Sequence, residues 1–251
     1  MSIAEDFKEF FGMTKEEYLE QYGKLNLTEL RRQIYRDKPP TNDLEARAMY
    51  LDKRYASYYL RTFDDQFFID REREAKEGYY HANGNIVVSG CVDNKPLGAK
   101  VLDYGCGHFI FGFWAYYLGY KVTFADIPHD FFRFMEFVCK KRGMDINFVP
   151  ITGQTADLPE QYDYVIASEF LEHCWEPLSV LRYLVSKTKK YGLIYISDFY
   201  DDCQGEDPSH LKHNNIFQNV MFKFQQYIAC GLESYETDSN NIIKIWKKYD
   251  E

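Results

Sequence analysis

Two carboxylates and a glycine-rich bend carry the strongest chemical signal in this chain. The run Val101-Leu102-Asp103-Tyr104-Gly105-Cys106-Gly107 reads as a buried strand that ends in a turn and then a helix. Glycine has no Cβ, so the backbone at Gly105 and Gly107 can approach a ligand closely. A helix starting at Gly107 or His108 offers free N–H groups to an anionic part of that ligand. Asp103, at the strand end, would orient those N–H groups or meet a cationic group. Asp126 closes the next apolar run, Val122-Thr123-Phe124-Ala125-Asp126, 23 residues after Asp103. An acidic side chain at that distance is placed to accept from the two hydroxyls of a ribose. Together these residues predict a nucleoside cofactor. The G-x-G-x-x-G pattern of a nicotinamide-dependent dehydrogenase is broken, because Ile110 stands where the last glycine belongs.

These residues need a frame. Residues 1–98 read as a mainly helical cap and acceptor region. Phe7, Phe10, Phe11, Tyr18, Leu19 and Tyr22 recur at helical spacing, and Thr14 with Glu17 has the form of a capping box. From residue 99 the texture becomes strand–helix alternation. Strands are expected at Lys100–Tyr104, Lys121–Asp126, Ile146–Val149, Tyr162–Ala167 and Leu193–Ser197. Helices are expected at His108–Leu118, Asp130–Arg142, Glu176–Ser186 and about Pro208–Cys230. Two last strands, Leu232–Thr237 and Ile242–Lys247, flank the turn Asp238-Ser239-Asn240. Such alternation predicts an α/β, Rossmann-like doubly wound sheet, mostly parallel, with a final antiparallel hairpin strand. Its ligands belong at the carboxyl ends of the strands.

Bulk properties narrow the partners. A formal net charge of −9 repels phosphate backbones and anionic lipids, so neither nucleic acid nor membrane is the expected partner. The longest apolar stretch, Phe109–Tyr120, is too short to span a bilayer, and the charged start of the chain lacks a signal-peptide core. A cytoplasmic protein is expected. The six cysteines are dispersed with no C-x-x-C pair, which disfavours structural zinc. The 22 Tyr and 20 Phe suit both a filled core and an aromatic-lined pocket.

Residues 99–247 resemble the class I S-adenosylmethionine-dependent methyltransferases. The family's D-x-G-x-G motif is met by Asp103, Gly105 and Gly107, and its second acidic residue by Asp126. Its fourth-strand motif is met by Tyr162-Asp163-Tyr164-Val165-Ile166-Ala167-Ser168-Glu169-Phe170-Leu171-Glu172-His173. The resemblance implies S-adenosylmethionine as cofactor. It implies that Asp103, Gly105 and Gly107 border the methionine part, that Asp126 holds the ribose, and that Ile127 packs on the adenine. Ser168 and Glu169 would lie beside the transferred methyl, with His173 near the cofactor. Gln154 takes the place of an Asp often found near the adenine amino group. Phe109 stands where a third glycine is usual, which narrows the room in the turn.

An in-line methyl transfer needs the nucleophile aligned, and a base where the nucleophile is a neutral hydroxyl or an ammonium. Asp207-Pro208 has the form of a helix start, and His210 and His213 follow three apart on one face. By the resemblance His210 is the first candidate base and His213 the second; the bland alternative is a histidine pair bonded within the rim. Asp198, Asp201, Asp202 and the two histidines match no fixed metal spacing, so no metal is assigned. The expected acceptor is a small molecule, methylated at oxygen: a sugar, nucleotide or surface-polymer precursor. Alternatives are N-methylation of a small molecule, or a cofactor-binding module without catalysis.

Overall fold

In the computed structural model the described residues are 2–22, 60, 63–77, 98–174, 176–197, 232–237 and 243–249. They carry helices α1 (Ile3–Phe11), α2 (Lys15–Tyr22), α3 (Asp65–Glu77), α4 (Ile110–Tyr117), α5 (Asp130–Lys141) and α6 (Pro177–Lys187). The strands are β1 (Lys100–Tyr104), β2 (Lys121–Asp126), β3 (Ile146–Pro150), β4 (Tyr162–Ser168), β5 (Thr188–Ser197), β6 (Leu232–Thr237) and β7 (Ile243–Lys248). Their order in the sheet is β3-β2-β1-β4-β5-β7-β6. β1 pairs in parallel with β2 and β4, and β4 with β5, whereas β7 runs antiparallel to both β5 and β6. This is the Rossmann-like sheet with its closing hairpin.

The chain divides into two compact units, Met1–Arg71 with Asp126–Asp145, and Glu72–Ala125 with Ile146–Glu251. The first is built on aromatic rings. Phe7 and Phe11 of α1 and Tyr18 of α2 meet Phe131 and Phe134 of α5 at centroid distances of 5.5–6.1 Å. Both short helices start on reciprocal caps. Glu5 N–H donates to Ser2 Oγ (3.3 Å) while Ser2 N–H donates to Glu5 Oε2 (2.8 Å). The same exchange joins Thr14 and Glu17, at 3.2 and 2.7 Å. Each box satisfies N–H groups that a first helical turn otherwise leaves open.

One carboxylate lies deep in this unit. Asp6 is 1% exposed and forms ion pairs with Lys141 (2.8 Å) and Arg142 (3.6 Å) of the α5 end. Lys141 also reaches Glu9 (2.6 Å), and Arg142 reaches Asp65 (3.3 Å) and covers the Phe68 ring at 4.6 Å. Hydrogen bonding to Asp6 and then to Glu9 raises the Lys141 ammonium above its usual range. A folded-state pKa above the unfolded value contributes stability that is complete below the ordinary lysine range. That stability is lost as pH climbs through the raised pKa. Urea melts are therefore expected to show the wild type losing more stability than Lys141→Met as pH rises through and above the ordinary lysine value of about 10.4. Parallel losses in the two proteins would contradict the pairing.

In the second unit the sheet interior is Val101, Leu102, Tyr104, Val122, Phe124, Val165, Ile166, Ala167, Ile194 and Ile196, all 4% exposed or less. Polar staples gather at the amino ends of the central strands. Lys100 N–H and Lys189 Nζ both donate to Asp163 Oδ2 (2.9 and 2.8 Å), and Lys100 Nζ pairs with Glu160. β5 begins earlier than its apolar run suggests. Thr188 pairs with Tyr162 and Leu193 with Tyr164, so Lys189–Gly192 form a bulge, with Tyr191 at φ 59°. Cys106, Cys139 and Cys174 are buried, and burial pushes the Cys139 thiol up to about 12. No helix among the described residues is long and apolar enough to cross a membrane.

Candidate active site

β1 lies between β2 and β4, so chain connections leave it to opposite sides, and the crevice between the β1 and β4 carboxyl ends is the switch point of the sheet. Two turns meet there, the 105–109 bend after β1 and the 169–173 bend after β4. The backbone of the first is left-handed at Gly105 (φ 69°), Gly107 (φ 39°) and Phe109 (φ 60°). Gly105 N–H donates to Ala125 O of β2 at 2.7 Å, and Phe109 N–H closes the bend on Cys106 O at 2.6 Å.

The helix that follows starts at Ile110, not at Gly107 or His108, because left-handed Phe109 forms its N-cap. Phe109 has no capping side chain, and Asp103 supplies one from β1. Gly112 N–H donates to Asp103 Oδ2 at 2.9 Å, and the carboxylate is only 3% exposed. A buried anion on the first turn of α4 satisfies an open N–H and favours the positive end of the helix dipole. The close approach needs a glycine at 112. A Cβ there would stand 2.1 Å from Phe124 Cε1 and 3.0 Å from Asp103 Oδ2.

Phe109 does not narrow the turn as its place in the motif suggests. Its ring is fully buried in the core, 5.1 Å from Phe124 and 6.3 Å from Phe148. A Cβ at Gly107 would make only an ordinary contact among the described residues, with Gly105 O the nearest atom at 3.9 Å. At Gly105 a Cβ would lie 2.0 Å from Cδ2 of Phe170. Phe170 was not singled out from the sequence. The glycine signal pointed to room for a ligand, and nothing local told that this chain's own ring takes part of it.

The second bend continues β4. Ser168 ends the strand, Glu169 takes a left-handed φ of 52°, and Leu171–His173 form a short 3-10 turn. His173 N–H donates to Phe170 O at 3.0 Å, and Cys174 Sγ lies 3.5 Å from the same oxygen. Ser168, Glu169, Phe170 and His173 are all part-exposed, as are Gly105, Gly107 and His108, in front of buried strands. Gln154 is exposed, in the loop after β3. That loop is anchored two residues later, where Ala156 N–H donates to Tyr104 Oη (3.0 Å) and Tyr183 Oη donates to Ala156 O (2.5 Å). Burial raises the Tyr183 phenol, so it stays a donor at neutral pH.

In the other unit, Asp126 and Ile127 are 6% and 8% exposed. Asp126 Oδ1 accepts from Ile127 N–H at 2.7 Å, and His129 N–H closes a tight turn on Ile127 O, also at 2.7 Å. His129 Nδ1 then caps α5 by accepting from Phe132 N–H at 3.3 Å. His210 and His213 lie outside the described residues, as do Asp198, Asp201, Asp202 and the helix expected at 208–230.

A left-handed bend at part-exposed Gly105 and Gly107, with room beside Gly107 among the described residues, makes a cradle at the β1 and β4 ends that fits a nucleoside cofactor with an amino-acid tail. Residues 70–230 match the family model of the methyltransferase domain. The chain belongs to this family. Its motifs are those of the class I S-adenosylmethionine-dependent methyltransferases, whose cofactor is S-adenosylmethionine. The ubiquinone biosynthesis O-methyltransferase of Stutzerimonas stutzeri is 32% identical over 131 residues, 51% of this chain and 56% of that relative. That of Bordetella pertussis is 31% identical over 102 residues, 40% and 42% of the two chains. The chain spans about half the length of the curated relatives it matches. A Galdieria sulphuraria protein assigned as a sarcosine dimethylglycine methyltransferase shares the fold at 14% identity, with a TM-score of 0.51 over 74% of this chain and 75% of that one.

Proposed function

We propose that this chain transfers a methyl group from S-adenosylmethionine to an oxygen atom of a small molecule. The observation that carries the reading is the left-handed Gly105–Phe109 bend at the switch point of a methyltransferase-domain sheet, in a chain whose relatives are O-methyltransferases. When bound, the cofactor supplies an electrophilic methyl on a sulfonium. The chain's residues do the rest. Gly105 and Gly107 border the methionine part, and Asp103 keeps their bend in register with α4. Asp126 holds the ribose hydroxyls, Ile127 packs on the adenine, and Gln154 accepts from its amino group. Ser168 and Glu169 line the place of the methyl, with His173 beside them. His210 takes the proton of the acceptor hydroxyl, with His213 as the second candidate. The helical region 1–98 covers the acceptor and excludes water.

The relatives' role in ubiquinone biosynthesis makes a precursor of that pathway the first acceptor to try, ahead of a sugar, a nucleotide or a surface-polymer precursor. The test is transfer of labelled methyl from S-adenosylmethionine to members of these classes, with the product bond identified by mass spectrometry. A labelled methyl ether, lost on His210→Ala, is the expected result. Labelled amines, or labelled protein with no small-molecule product, would overturn it.

A further inference from the structure

Phe170 joins the two halves of the cradle. Its backbone is pinned by His173 N–H at 3.0 Å. Its ring stands edge-to-face with Tyr104 of β1, at 5.1 Å and 83°, and it fills the side of Gly105 where a Cβ would point. Tyr104 is held in turn through its hydroxyl by Ala156 N–H. The ring is thus fixed by β1 and by its own turn, yet the residue remains part-exposed at the carboxyl ends of β1 and β4. Beside it in sequence is Glu169, half-buried and left-handed. A rigid aromatic ring next to a carboxylate is chemistry for a cation rather than for a neutral or anionic group.

We infer that Phe170 is a specificity-determining residue that recognises the positive charge of the sulfonium. This rests on the reading that the cradle takes S-adenosylmethionine. Ring and bend then act as a unit. Gly105 is glycine so that the ring can close on the backbone, and a ring in that position would offer its π-electrons to a charged sulfur held at the bend. The product S-adenosylhomocysteine has the same nucleoside and amino-acid ends but a neutral thioether. Loss of the charge on transfer removes this attraction and favours exchange of product for fresh cofactor.

The test is calorimetric titration of the full chain with S-adenosylmethionine and, separately, with S-adenosylhomocysteine. Wild type is compared with Phe170→Leu and with a series carrying one, two or three fluorines on the Phe170 ring. Fluorination drains the face of the ring with little change of shape, so it keeps the test valid if the leucine variant folds poorly. Phe170→Leu is expected to weaken the sulfonium ligand about five- to thirty-fold and to leave the thioether ligand within about twofold. Stepwise fluorination should give stepwise loss for the sulfonium alone. Equal losses for both ligands, or no loss for either, would overturn the inference and leave Phe170 a packing residue. If wild-type protein takes up neither ligand, the reading beneath it falls instead.

Discussion

Gly105→Ala is expected to lower affinity for S-adenosylhomocysteine at least tenfold and to destabilise the fold by about 2–5 kcal/mol. Two independent costs add. An alanine at φ 69° is held in the left-handed region, which disfavours any side chain by about 1–2 kcal/mol. Its methyl would also stand 2.0 Å from Cδ2 and 2.5 Å from Cγ of Phe170. Contact so near the root of the ring cannot be relieved by bending a flexible tip, so the 169–173 bend must shift, at a cost of about 1–3 kcal/mol. Urea unfolding reads the stability and calorimetry reads the affinity. Gly107→Ala is the internal control. It has a positive φ of 39° as well, but among the described residues its Cβ would make only an ordinary contact, with Gly105 O at 3.9 Å, so its stability loss should be the smaller. Equal effects at the two glycines would mean that the Phe170 contact has no energetic weight.

The second large effect is expected at Asp103. Asp103→Ala removes a buried charge-assisted acceptor and strands Gly112 N–H, a loss of about 2–3 kcal/mol. Asp103→Asn keeps an oxygen that can accept, so about half of that loss should return. Both variants should weaken S-adenosylhomocysteine in the same order as they weaken the fold, because the carboxylate acts on the ligand through the bend and α4. Unfolding midpoints and dissociation constants for the three proteins check this. An Asp103→Ala protein of wild-type stability that no longer binds the nucleoside would instead make Asp103 a direct ligand.

How much of this was legible in the chain depends on how local each cause is. The bounds of β1 and β2 agree with the reading because dense apolar runs end at Asp103-Tyr104 and at Asp126. The Thr14–Glu17 box is visible for the same reason, a four-residue motif that acts on itself. The spacing places the start of α4 two residues early, since its cap is Asp103 of β1, nine residues before the Gly112 N–H from which it accepts, while the residue at the N-cap position is a phenylalanine. The apolar run places the start of β5 at Leu193 because the bulge hides the earlier part of the strand behind Lys189, Lys190, a left-handed tyrosine and a glycine. At the site, motif spacing pointed to Asp103, Gly105 and Gly107. It does not tell that the Cβ side of Gly105 is filled by Phe170, 65 residues on, while a Cβ at Gly107 would make only an ordinary contact among the described residues. That is a fact of tertiary packing with no periodicity to betray it. The acceptor side rests on His210 and His213, which lie outside the described residues, and so on chemistry and resemblance alone.

The most direct measurement is a crystal structure of the full chain grown with S-adenosylhomocysteine. The nucleoside should lie across the carboxyl ends of the central strands. Its thioether sulfur should rest beside the Gly105–Gly107 bend and the Phe170 ring, and its ribose hydroxyls on Asp126. Density for the ligand anywhere else on the chain, or a ribose that makes no bond to Asp126, would contradict the assignment of this cradle.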